Sequence, residues 1–127
     1  MNKKILLAGS VFGLLTVVIG AFGAHALEEI LLQNGRVDTF ETAVKYQGIH
    51  ALALVLLGIL SEKLNNSLIR YAAILMVIGI LIFSGSLYIL SITNIGFLGA
   101  ITPIGGIALI AGWILLIIGI YKSSTIH

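Results

Sequence analysis

Residues 20–27 read GAFGAHAL, and the fold turns on whether they close a cleaved leader or a retained membrane helix. Ala24-His25-Ala26 has the small-residue spacing of a leader cleavage site. The apolar run before it, Ile5 to Ala26 behind Asn2-Lys3-Lys4, is longer than the roughly 7 to 15 residues of a signal peptide's apolar region. Its length suits instead a hydrocarbon core about 30 Å thick, which needs roughly 20 residues. The segment therefore reads as a retained spanning helix with His25 at its far end.

Further runs of the same kind follow, and the expected helices are about 5–26, 39–60, 68–90 and 100–121 within one domain, 1–127. Composition agrees: 59% of the 127 residues are hydrophobic, 9% are charged, and the mean hydropathy is +1.16. An ordinary soluble domain is about 25% charged, so this chain cannot clothe itself for water. The expected fold is an all-α integral membrane protein, a four-helix transmembrane bundle. A net charge of +2 raises the question of nucleic acid, but the seven basic residues are scattered and form no patch. Cysteine is absent, which excludes disulfides, thiolate nucleophiles and cysteine metal sites.

The placement of Lys and Arg sets the expected orientation. With both termini cytoplasmic, the inner side carries Lys3, Lys4, Lys63, Arg70 and Lys122, and the outer side only Arg36 and Lys45. Glu62 to Asn66 reads as a short polar turn, and Ser91 to Gly99 as an uncharged loop close to the membrane. In LEEILLQNG, residues 27–35, Leu27, Ile30 and Leu31 share a face opposite Glu28 and Glu29, with Gly35 as the stop, which predicts a short interfacial helix in the first outer loop. Asp38 or Thr39 is the expected cap of the next helix, with Glu41 closing a capping box. Thr102-Pro103 similarly reads as a capping hydroxyl ahead of a helix-opening proline.

GAFGAHAL, FETAVKYQGIHALAL (residues 40–54) and FSGSLYILSITNIGFLGAITPIGG (residues 83–106) together resemble a bacterial membrane family, domain of unknown function 423, the YwdK/YgdD-like proteins. The similarity spans nearly the whole chain. It implies a small four-helix protein of the bacterial cytoplasmic membrane and assigns no activity.

The residues able to carry chemistry gather in ETAVKYQGIH, residues 41–50. Glu41 and Lys45 stand four apart in the order that favours a helical ion pair. Tyr46, Gln47 and His50 share a face, and ionisable groups inside a span turn toward partners or water. Counted inward from Ala43, His50 lies roughly 10 Å into the outer half. His25, Ser84, Ser86 and Tyr88 fall in the same half, which predicts an outer-half polar cluster of His25, Tyr46, Gln47, His50, Ser84, Ser86 and Tyr88. Such a cluster can hold a lipid-like ligand or a partner subunit, or it can fix helix register by hydrogen bonds within the bundle. Two histidines are too few for a zinc site, and no cofactor is expected.

Glycines form a second pattern: Gly9, Gly13 and Gly20 with Thr16 and Ala24 on the first helix, and Gly105, Gly112 and Gly119 every seven residues on the last. Small residues let helices approach closely in lipid, so these predict packing within the chain or between copies. Trp113 lies deeper than an interfacial aromatic should and has no assigned role. The leading functional expectation is a non-enzymatic binding or assembly module whose partners are membrane lipids and a homo-oligomer or larger complex. One rival is a transporter or channel for protons or small solutes. The other is a membrane enzyme using histidine as acid and base, which needs His25 and His50 to converge.

Overall fold

The computed structural model describes residues 1–64 and 66–123. Five helices follow one another: α1 (Lys3–Ala26), α2 (Glu28–Asn34), α3 (Val37–Leu64), α4 (Ser67–Thr93) and α5 (Leu98–Lys122). All but α2 are long and apolar enough to cross a membrane. The chain is thus an all-α integral membrane protein with a short helix between its first two spans, and no strand occurs among the described residues.

The spans of 24 to 28 residues measure about 36 to 42 Å at 1.5 Å per residue, longer than the apolar core of a bilayer. Their ends overrun the apolar stretches because continuing the helix is the cheapest way to satisfy backbone groups near lipid. This corrects several expected boundaries. The α3 helix starts at Val37, with Phe40 N–H donating to the Arg36 carbonyl at 3.0 Å, so Asp38 sits in the first turn and neither it nor Thr39 is the cap. At its other end α3 absorbs Glu62 to Leu64 of the expected turn, of which Asn65 lies outside the described residues. The α5 helix starts at Leu98, five residues before Pro103, through tight first-turn bonds such as Leu98 N–H to Ile95 O at 3.1 Å. The Thr102 hydroxyl donates back to the Leu98 carbonyl at 3.2 Å instead of capping, and Pro103 sits inside the helix.

Within the first span, α1 is interrupted by a π-helical turn, Val18–Gly23. The α1 helix packs on α3, α3 on α4, and α4 on α5, so α3 and α4 form the middle of the bundle and α1 and α5 its flanks. The apolar core lies between them: Leu54 and Leu57 of α3, Ile69, Met76 and Ile80 of α4, and Leu109 of α5 are all buried.

Glycines set these distances. A Cβ on Gly9 would come within 2.8 Å of the Val55 backbone nitrogen, and one on Gly20 within 2.9 Å of the Val44 side chain. On α5, a Cβ on Gly105 would strike the Phe83 backbone, on Gly112 it would reach Met76 at 3.0 Å, and on Gly119 it would reach Ile69 at 2.7 Å. Gly58 and Gly79 do the same for Leu6 and Leu109. Both stripes therefore pack within one chain. Gly13 is the exception: no atom lies within 4 Å of the position its Cβ would take.

The loop helix α2 ends as its sequence predicts. Gly35 adopts φ 65°, Arg36 N–H donates to the Leu31 carbonyl and Gly35 N–H to the Leu32 carbonyl, the paired bonds of a Schellman stop. Leu31 is buried and Glu28 and Glu29 face out. The helix is also latched: the Asn34 amide donates to the Ser91 and Ile92 carbonyls at 3.0 Å each, and Arg36 Nε to Asn94 Oδ1 at 2.9 Å. These bonds take up carbonyls at the end of α4, where Asn94 at φ 55° closes the helix.

Candidate functional site

Much of the expected cluster forms around α3, without His25. His50 has 13 residues of α3 before it and 14 after it in Val37–Leu64, so it stands at the middle of that helix. Trp113, with 15 residues of α5 before it, reaches the same level.

Two linked sets of hydrogen bonds result. In the first, the buried Gln47 amide donates to the Phe12 carbonyl of α1 at 3.0 Å, and its Oε1 accepts from the Tyr88 hydroxyl of α4 at 2.7 Å. In the second, the Trp113 indole N–H of α5 donates to His50 Nε2 at 2.9 Å, and His50 Nδ1 bonds the Tyr46 carbonyl at 2.7 Å. An indole nitrogen can only donate, so Nε2 is the acceptor and the ring is the neutral Nδ1–H tautomer. Aromatic packing encloses it: Tyr46 stacks on the ring at 6.3 Å, Trp113 meets it edge-on at 5.8 Å, and Phe83 packs on Tyr46 at 4.8 Å.

The serines complete the ties. Ser84 Oγ donates to the Ala43 carbonyl of α3 at 2.8 Å, and Ser86 Oγ lies 2.7 Å from Thr102 Oγ1 of α5. All four spans are thereby joined by side-chain hydrogen bonds. Among the described residues no buried side-chain nitrogen or oxygen lacks a partner.

Two expected features do not form. His25 does not join His50: it is exposed and lines a separate cavity of about 340 Å³ at the end of the bundle that carries α2, with Glu28, Leu31, Phe40 and Glu41. Glu41 and Lys45 share a face of α3 and are both exposed, but make no ion pair. The described residues contain no group of three or more histidine, cysteine or acidic side chains able to hold a metal ion.

Sequence reasoning missed Trp113, although a tryptophan too deep for the interfacial belt must find an acceptor for its N–H, and His50 was the acceptor at that depth. It also missed Asn34, whose two backbone bonds depend on a fold-level meeting of α2 with the end of α4.

The sequence profile described as Protein of unknown function (DUF423) matches residues 19–106. Over 94% of this chain there is 43% identity to a UPF0382 membrane protein of Staphylococcus haemolyticus, covering 97% of that protein, and to the UPF0382 membrane protein YwdK of Bacillus subtilis, covering 98% of it. The UPF0382 inner membrane protein YgdD of Escherichia coli is 31% identical over 93% of this chain and 89% of its own length. No solved structure matches.

Proposed function

Because the chain belongs to the family described as Protein of unknown function (DUF423), whose name gives no chemistry, we propose from its own geometry that it is a non-enzymatic binding and assembly module. It sits in the cytoplasmic membrane with both termini inside. The Lys and Arg asymmetry supports that orientation, with Lys3, Lys4, Lys63, Arg70 and Lys122 at one end and Arg36 and Lys45 at the other.

The observation that carries the reading is the closed polar cluster. With Gln47, His50, Ser84, Ser86 and Tyr88 all bonded to other helices or to their own backbone, the cluster's role is to fasten the spans in register. What remains for a ligand or partner is the bundle's periphery. At the outer end this is the cavity of His25, Glu28 and Glu41, whose floor of Leu31 and Phe40 suits the edge of a lipid-like molecule. Along the flanks it is apolar surface of α1 and α5, such as Leu14, Phe22, Ile107 and Ile117, available to lipid or a second copy.

A transporter for protons or small solutes is the alternative, and it requires a continuous polar path. Between Arg70 and Lys122 the only ionisable side chains are Tyr71, Tyr88 and Tyr121. The histidine enzyme reading loses its pair, since His25 and His50 sit in different places. Purified protein in liposomes loaded with a pH-sensitive dye, under an imposed proton gradient, distinguishes these. Leakage equal to that of empty liposomes is expected. Dissipation that His50→Leu abolishes would overturn the module reading in favour of transport.

A further inference from the structure

We propose that the end of the bundle carrying the N-terminus is a binding site for an anionic phospholipid, with its phosphate among Lys3, Lys4 and Arg70 and one acyl chain in the groove between α1 and α4. This goes beyond the reading above, because it concerns the opposite end from His25 and does not depend on the polar cluster.

Two cavities meet here. The larger, of about 770 Å³, is lined by the N-terminus, the start of α1, the end of α3 and the start of α4, and includes Lys3, Lys4, Ser61, Glu62, Ser67 and Arg70. The smaller, of about 200 Å³, shares Lys4, Ile5 and Arg70 with it and continues along the helices over Ala8, Leu54, Ala73 and Val77. Apart from the two basic side chains, every residue lining the groove is aliphatic. A polar chamber thus opens directly into an apolar slot, and the junction is marked by two cations.

Charge selects the occupant. The one carboxylate of the chamber, Glu62, is engaged by the N-terminal ammonium at 3.0 Å. Among the described residues no carboxylate lies within salt-bridge reach of Lys3, Lys4 or Arg70. The chamber therefore carries a net charge of +3: Met1 ammonium, Lys3, Lys4 and Arg70 against Glu62. The helix ends are not what attracts an anion. The α1 and α4 N-termini are already capped by the side chains of Asn2 and Asn66, which accept from Ile5 and Ile69 N–H. What remains is cationic side-chain charge at the depth of the lipid phosphates, the arrangement by which basic pockets between spans take anionic headgroups. Ser67 adds a hydroxyl beside it, while the Ser61 hydroxyl already donates to the Gly58 carbonyl at 2.9 Å. A soluble phosphate would use the chamber alone, whereas the adjoining groove requires a molecule with a hydrocarbon chain.

The test is native mass spectrometry of the full chain released from mild detergent and titrated with phosphatidylglycerol, phosphatidylcholine or soluble glycerol phosphate. One phosphatidylglycerol is expected to survive gas-phase activation that strips phosphatidylcholine. Removing two surface-level cations weakens binding by about thirty-fold, so the Lys4→Gln/Arg70→Gln variant should lose the adduct to that extent. Lys63→Gln/Lys122→Gln removes the same charge from the same end outside the chamber and should change affinity less than three-fold. Ala8→Phe fills the groove while leaving every cation in place, and should weaken phosphatidylglycerol at least ten-fold without altering glycerol phosphate. Equal retention of phosphatidylcholine, equal loss in both double variants, or an unaffected Ala8→Phe would each overturn the proposal.

Discussion

Trp113→Phe tests whether the His50 bond fastens the bundle. The substitution keeps an aromatic ring beside the imidazole but deletes the one donor that the described residues offer to His50 Nε2, which sits 2.9 Å from the indole nitrogen. His50 is 3% exposed, so no water replaces that donor. A buried acceptor left unpaired costs about 1–3 kcal/mol, while interhelical hydrogen bonds in membranes average about 0.6 kcal/mol and reach about 1.7. The expected loss is therefore about 1–2 kcal/mol. His50→Leu should cost a similar amount, because it strands the indole N–H. The Tyr46 carbonyl loses only its side-chain donor and remains part of the α3 backbone ladder. The double variant strands neither group, so the two losses should fall short of additivity by about 1 kcal/mol. Equilibrium unfolding of all four proteins in mixed micelles of rising denaturing-detergent fraction, followed by far-UV circular dichroism, gives the cycle. Additivity within about 0.3 kcal/mol would refute the claim that the bond holds α3 and α5 together.

Glycine substitutions should separate by position: Gly105→Ala drives a methyl into the Phe83 backbone and should destabilise the same micellar unfolding by more than about 2 kcal/mol, whereas Gly13→Ala meets open space and should be neutral or stabilising by up to about 1 kcal/mol. Asn34→Ala removes both bonds to the Ser91 and Ile92 carbonyls, so hydrogen exchange should rise in residues 28–36 and at the end of α4 while the middle of α3 stays protected. Unchanged exchange in the loop would show that the Asn34 bonds are dispensable and that burial of Leu31 and the Arg36–Asn94 bond hold α2.

Length and hydropathy were enough to read the four spans, since nothing but a helix satisfies 20 apolar residues in lipid. The same physics hid their ends. Helices run on through polar residues such as Asp38 and Glu62 until a cap is found, and apolar periodicity does not record where that happens. The Gly35 stop was legible because a left-handed residue after an amphipathic turn is a local requirement. Thr102-Pro103 misled because its local meaning, a helix start, was overridden by three tight turns earlier at Ile95 to Ala100. At the site, Gln47, His50 and Tyr88 could be grouped by face and depth. Which of them bonded which, and that His25 stood apart, depended on helix rotation and on the π turn that precedes His25.

The arrangement of ties makes the flanking helices unequal. The α5 helix lies against α4 along Gly79, Gly105, Gly112 and Gly119, and is pinned to α3 by Trp113 and to α4 by Thr102. The α1 helix has close backbone approach at Gly9 and Gly58 and one side-chain bond from the core, Gln47 to Phe12 O, supplemented at its start by Asn2 N–H to Gly58 O. It is also the wall of each cavity discussed: Ala24 and His25 at one end, Lys3 and Lys4 at the other, Ala8 along the groove. A ligand bound at either end, as proposed, would therefore touch the span that the polar cluster ties through a single side-chain bond, Gln47 to the Phe12 carbonyl.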